Sequence, residues 1–146
     1  MSIWFNKNLV LPDISTLEYG RKTMAYYLGM EWVELGDDYL VMRMPVNERT
    51  IQPYGLLHGG ASCALAETVG SLASHFVINA KEKYCVGLEI NANHVRSATS
   101  GFVTATCTAL HLGSSTHVWD IKIHDDNKKL VCVSRLTVAI LEKKKK

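Results

Sequence analysis

Residues 60–78 read GASCALAETVGSLASHFVI, a run rich in Ala, Leu and Ser that holds no Lys, Arg or Pro. Its pattern predicts one uninterrupted helix, at about 1.5 Å per residue roughly 28 Å long and able to run across a small sheet. Apolar residues fall on nearly every side of it, so it is expected to be buried rather than to lie on a surface. Ser62, Glu67, Thr68, Ser71, Ser74 and His75 make it too polar to span a membrane.

The flanks of this run define what packs on it. Upstream, residues 14–28 (ISTLEYGRKTMAYYL) read as an amphipathic helix ended by Gly29. Two short strands follow, about 30–36 and 39–46, hinged at Gly36-Asp37-Asp38. In the second, Leu40, Met42, Met44 and Val46 alternate onto one face. Residues 47–58 read as a loop. Downstream come four longer strands, about 83–95, 101–112, 116–124 and 129–141, with turn chemistry at Gly113-Ser114-Ser115 and Asp125-Asp126-Asn127. One long central helix wrapped by a mainly antiparallel sheet is an α+β layout. Such a sheet leaves its other face and its edges uncovered, so self-association is expected.

Composition narrows the function classes. At 146 residues, 47% hydrophobic and 21% charged, the chain suits one domain with a genuine core. A net charge of +2 does not suggest nucleic acid, and the terminal run Lys143–Lys146 reads as a solvated, flexible tail. An anion site must therefore be local. Cys63, Cys85, Cys107 and Cys132 are isolated, without zinc-ligand spacing, so no metal is expected. The first residues carry no long apolar stretch or cleavage site, and a reducing cytoplasm fits.

Glu67 is the residue that needs explaining, because a carboxylate within an apolar helix is costly unless paired or functional. On this segment alone the plainer reading is a helical turn that reaches solvent, or a bond to a neighbouring backbone group or hydroxyl. The surroundings alter that. Ser71 lies one turn on along the same face, and Cys63 and Ala64 are small neighbours that leave room for a substrate. Gly59-Gly60 at the helix start exposes backbone N–H groups in a region of partial positive charge, suited to a phosphate or to a carbonyl under attack. His58 could orient this loop, polarise a carbonyl or be purely structural, and Gln52 is a neutral hydrogen-bonding group nearby.

The run Gln52-Pro53-Tyr54-Gly55-Leu56-Leu57-His58-Gly59-Gly60-Ala61-Ser62, then Leu65-Ala66-Glu67 and Gly70-Ser71, resembles the signature of hotdog-fold thioesterases. Within them it is similar to the branch that holds 1,4-dihydroxy-2-naphthoyl-CoA hydrolase, the enterobactin proofreading thioesterase and one type of 4-hydroxybenzoyl-CoA thioesterase. Val86-Gly87-Leu88-Glu89-Ile90-Asn91-Ala92-Asn93-His94-Val95-Arg96-Ser97, His111-Leu112-Gly113-Ser114, Val118-Trp119 and Ser134-Arg135-Leu136-Thr137 extend the likeness from about residue 24 to 141.

The resemblance implies roles. Glu67 matches the catalytic carboxylate, as nucleophile or as general base for water, and the Gly59 N–H matches the oxyanion donor. His58 and Gln52 match residues supporting the loop and thioester, and Ser71 a hydroxyl that positions water or the carboxylate. His94 and Arg96 match positions near the nucleotide or pantetheine arm of coenzyme A, and Gly113, Ser114 and Arg135 complete the substrate-binding set. Close relatives often carry Arg where this chain has Ser115, which puts a phosphate contact there in doubt and leaves Lys122 as a substitute. Met24, Tyr26 and Tyr27 are candidate walls of an acyl pocket or simple core residues. The family places its active site across a dimer interface, with tetramers as dimers of dimers, and needs no cofactor beyond the coenzyme A of the substrate. The substrate implied is an aromatic acyl-CoA, as in menaquinone biosynthesis. The alternatives are an aryl group on a carrier protein, a fatty acyl-CoA, or a non-catalytic acyl-CoA binding module.

Overall fold

The computed structural model describes residues 1–16 and 20–144. Six strands form one antiparallel sheet: β1 (Glu31–Leu35), β2 (Tyr39–Pro45), β3 (Lys83–His94), β4 (Phe102–Leu112), β5 (Thr116–Asp125) and β6 (Leu130–Glu142), in the order β1-β2-β4-β5-β6-β3. The long helix, here α2, spans Gly59–Val77 and packs on one face of that sheet. This is the α+β arrangement expected, with strand bounds within a residue or so of those read from alternation.

The expected helix over 14–28 is not formed as one element. Short 3₁₀ turns occupy Ile14–Thr16 and Gly20–Lys22, and α1 is a single turn, Met24–Tyr27, while residues 17–19 lie outside the described residues. Local hydroxyls explain the breaks. Thr16 Oγ1 donates to the Asp13 carbonyl at 2.8 Å, and Thr23 Oγ1 caps α1 by accepting from Tyr26 N–H. Such side chains compete with the helical hydrogen-bond ladder. Gly29 does end the segment. At φ 71° it lets its own N–H reach the Tyr26 carbonyl and the Met30 N–H reach that of Ala25, a Schellman closure that needs the left-handed conformation.

The core lies between α2 and the sheet. From the helix, Ala61, Leu65, Ala66, Val69 and Ala73 are buried against Leu40, Met42 and Met44 of β2, Val103, Ala105 and Cys107 of β4, and Trp119, Ile121 and Ile123 of β5. Each fully buried Leu or Ile contributes on the order of 1.5–3 kcal/mol. Small residues let the helix lie close: a Cβ on Gly70 would stand 2.6 Å from Leu136 Cδ2. Deeper still, Ser74 Oγ accepts from Trp119 Nε1 at 2.7 Å and lies 3.1 Å from His117 Nδ1, so the polar atoms enclosed here are satisfied.

α2 is not buried on all sides as its composition suggested. Gly60, Glu67 and His75 are exposed, and Cys63, Ala64, Thr68, Ser71 and Leu72 are only partly covered. The N-terminal segment and β1 shield the far half of the helix, through the Phe5 N–H to Phe76 carbonyl bond, the edge-on contact of Trp4 with Phe76 and the tilted contact of Trp32 with it, at 6.4 and 6.0 Å between ring centroids. No described residue fully covers the middle turn. There β3 forms a sheet edge and exposes Tyr84, Val86 and Leu88. No helix among the described residues is long and apolar enough to cross a membrane.

Candidate active site

The loop before α2 builds the helix start. Thr50 is buried and ties Pro45 to Asn47, the Gln52–Gly55 turn closes with Gly55 at φ 78°, and the His58 N–H donates to the Thr50 carbonyl at 2.8 Å. His58 is the N-cap: its Nδ1 accepts from the Gly60 N–H at 2.8 Å. That bond consumes one of the helix's free donors and leaves the neighbouring Gly59 N–H without an acceptor among the described residues. Gln52 turns its Oε1 onto the Tyr54 N–H, so its amide nitrogen remains to donate elsewhere.

Gly59, Gln52, His94 and Arg96 line one open cavity of about 360 Å³. The His94 ring stands directly over Gly59; a Cβ there would be 2.9 Å from His94 Nε2. Arg96 makes no ion pair among the described residues, so its cation is available at the cavity rim. Ser62, buried on the first turn, also lines this cavity, and no feature of the sequence had singled it out.

Glu67 sits two turns further along. Its carboxylate has no hydrogen bond or ion pair among the described residues and rests over Gly87 of β3. Cys63 and Ser71 flank it on the same row, and the Ser71 carbonyl accepts from Cys85 Sγ at 3.5 Å. Burial and then the charge of Glu67 push the Cys63 thiol up, so it stays protonated and is a poor nucleophile. Burial does the same to Cys132, pushed up to about 11.

Geometry within one chain separates the two key groups. Gly59 and Glu67 are eight residues apart on one helix, roughly 12 Å at about 1.5 Å per residue. A glutamate side chain reaches only about 5 Å from its Cα, and this one leans on β3. The Gly59 N–H and Glu67 of the same chain do not meet at one carbonyl. Other predicted residues are also dispersed. Gly113 and Ser114 line a second cavity of about 360 Å³ beside Val77, Ile78 and Lys83, at the opposite end of the nineteen-residue helix. Arg135 is exposed between buried Ser134 and Leu136, hence on the sheet face turned away from α2. Lys122 is engaged with the Asp120 carboxylate. Tyr26 and Tyr27 line another cavity, of about 420 Å³, with Met30 and Arg49; Met24 is exposed. Among the described residues, no group of three or more His, Cys, Asp or Glu is placed to hold a metal ion.

A donor-bearing helix start and a carboxylate unpaired among the described residues, on a frame of one long helix and six strands, can be set beside known proteins. The thioesterase superfamily model matches residues 54–132. The chain belongs to the thioesterase superfamily. The 1,4-dihydroxy-2-naphthoyl-CoA hydrolase of Escherichia coli (strain K12) is 52% identical over 139 residues, spanning 95% of this chain and 99% of that one. Proofreading thioesterase EntH of Cronobacter turicensis is 43% identical over 140 residues, spanning 95% and 98%. Among solved structures, a mutant thioesterase from Pseudomonas aeruginosa superimposes with a TM-score of 0.89 at 45% identity, covering 97% of this chain and all of its own. A thioesterase from Haemophilus influenzae follows at 0.86 and 42%, covering 96% and 95%. This protein is thus a hotdog-fold thioesterase, and its chemistry is thioester hydrolysis.

Proposed function

We propose that this thioesterase hydrolyses an aromatic acyl-CoA, with Glu67 as the reactive carboxylate and the Gly59 N–H as the oxyanion donor. The observation that carries this is two groups on α2 that are unsatisfied among the described residues, a backbone N–H at its head and a carboxylate at its middle. A thioester carbonyl is activated enough for direct attack. The Glu67 oxygen adds to the carbonyl carbon, the C–S bond breaks, the coenzyme A thiolate leaves, and water opens the mixed anhydride. In the second route Glu67 takes a proton from water as the oxygen adds to the same carbon, and the tetrahedral intermediate then collapses with C–S cleavage, the coenzyme A thiolate leaving and taking up the proton. In both, the N–H meets charge that develops only on the way to the tetrahedral state.

The roughly 12 Å offset makes each site depend on two chains, Gly59 from one and Glu67 from the other. The bare edge of β3, where Gly87 lies under Glu67 on one face and Tyr84 and Val86 are exposed on the other, is the surface a second copy would cover. A two-fold pairing that runs the two α2 helices in opposite directions would bring the cavity at the far end of one, lined by Gly113 and Ser114, toward the Gly59 cavity of the other. His94 and Arg96 then serve the pantetheine arm and phosphates, and coenzyme A is part of the substrate rather than a cofactor. The 52% identity to a 1,4-dihydroxy-2-naphthoyl-CoA hydrolase supports an aromatic acyl group on coenzyme A.

Thiol release from benzoyl, hydroxynaphthoyl and fatty acyl-CoAs, with the parent protein and with Glu67→Ala, tests the chemistry. Aryl substrates should turn over fastest, and unchanged release by the variant would remove Glu67 from the mechanism. Mixing Glu67→Ala chains with Gly59→Val chains tests the sharing. Random pairing makes half of the dimers mixed, each with one intact site, so about a quarter of parental activity should return. No recovery would place both groups in one chain.

A further inference from the structure

The row of β3 that faces α2 runs Cys85, Gly87, Ile90, Ala92. Cys85, Ile90 and Ala92 pack against the core, and the change of parity between Gly87 and Ile90 is made by a β-bulge, where Gly87 pairs with Val138 and Glu89 with Thr137. Gly87 is the one empty position of that row. A glycine is a poor strand residue and usually marks a tight conformation or a close approach. Here the conformation is not the cause, for Gly87 is outside the positive-φ region that glycine alone adopts readily. The close approach is. A Cβ at 87 would lie 2.3 Å from Glu67 Oε1, 3.3 Å from its Cδ and 3.9 Å from its Cγ, and these three are its nearest neighbours.

We propose that Gly87, held by the bulge at Leu88, is the positioning residue for the Glu67 carboxylate: it leaves a niche on the sheet edge in which the carboxylate rests and from which it faces the acyl carbonyl. This builds on the assignment of Glu67 as the reactive group. Every other neighbour within reach of position 87 would tolerate a methyl group, and the flexible end of Glu67 alone has to move. A methyl group therefore displaces the carboxylate and spares the fold.

The test is a cycle of Gly87→Ala and Glu67→Asp, with kcat and KM measured on one aryl-CoA and thermal unfolding followed in parallel. Aspartate is shorter by one methylene and withdraws the carboxylate from the niche. Gly87→Ala should lower kcat at least tenfold in the parent with KM within about threefold, and should change kcat less than threefold in the Glu67→Asp background. An equal loss in both backgrounds, or none in the parent, overturns the inference. Should Gly87→Ala fail to fold, restoration of folding by Glu67→Asp upholds the collision with the carboxylate, and failure to restore it refutes it. Activity retained by Glu67→Ala would instead remove the underlying assignment, so the two failures are distinguishable.

Discussion

Two rows of α2 are made of similar small residues and meet different surroundings. The row through Ala61, Leu65, Val69 and Ala73 is sealed against β2, β4 and β5, and the polar atom of Ser74 on the buried row beside it is bonded to Trp119 and lies beside His117. The row through Cys63, Glu67 and Ser71 looks onto an edge strand, with a carboxylate that has no partner among the described residues. Close packing specifies the first row, since a void or an unpaired polar group there costs free energy directly. The second row holds a carboxylate that the fold leaves without a bond among the described residues. The difference separates residues that hold the helix in place from residues that the helix holds in place.

The sharpest way to break this comparison is Glu67→Gln. The change keeps shape and removes charge, and kcat should fall on the order of a thousandfold, while Tm moves by no more than about 2 °C because no folded-state bond is lost. Steady-state kinetics and calorimetry on one preparation check both. Leu65→Ala inverts the pattern. The fully buried side chain leaves a cavity worth about 2–5 kcal/mol, read from urea midpoints, with kcat retained in the fraction that remains folded. Ser74→Ala is smaller, about 1–3 kcal/mol, because Trp119 Nε1 and the His117 ring each lose a partner inside the core.

A still smaller effect is one of pH. Burial first, and then the charge of His111, hold His117 below the ordinary histidine value, and burial does the same to His75. The unfolded chain therefore takes up these protons first as pH falls. Stability should be constant at alkaline pH and decline below about pH 6.5. Unfolding midpoints from pH 8 to 5 should show this acid limb, and His117→Gln should flatten it without abolishing it, His75 being left.

Much of the frame was legible because it is local. Alternation in Leu40-Val41-Met42-Arg43-Met44 and turn residues such as Gly113-Ser114-Ser115 act over a few positions, so strand bounds read well. The segment 14–28 was not legible as it is, since its apolar spacing favoured a helix while Thr16, Thr23 and Gly20 interrupt it. A turn reaching solvent at Glu67 was the plainer reading of its own segment and is what the structure has, whereas the expected burial of α2 on every side failed because composition cannot say which side of a helix a sheet will cover.

By itself the sequence determined the long helix, its glycine-opened start, the single carboxylate within it and the family those residues belong to, all properties carried by residue type and spacing along the chain. Tertiary structure decided what each of those groups faces. It placed β3 at the edge beside β6, used the His58 ring as a cap for the Gly60 N–H, left the Gly59 N–H without an acceptor among the described residues, and set the Glu67 carboxylate over Gly87. Strand order and facing depend on contacts between residues far apart in the chain, whose pairing is chosen by the packing of the whole core rather than by any local preference.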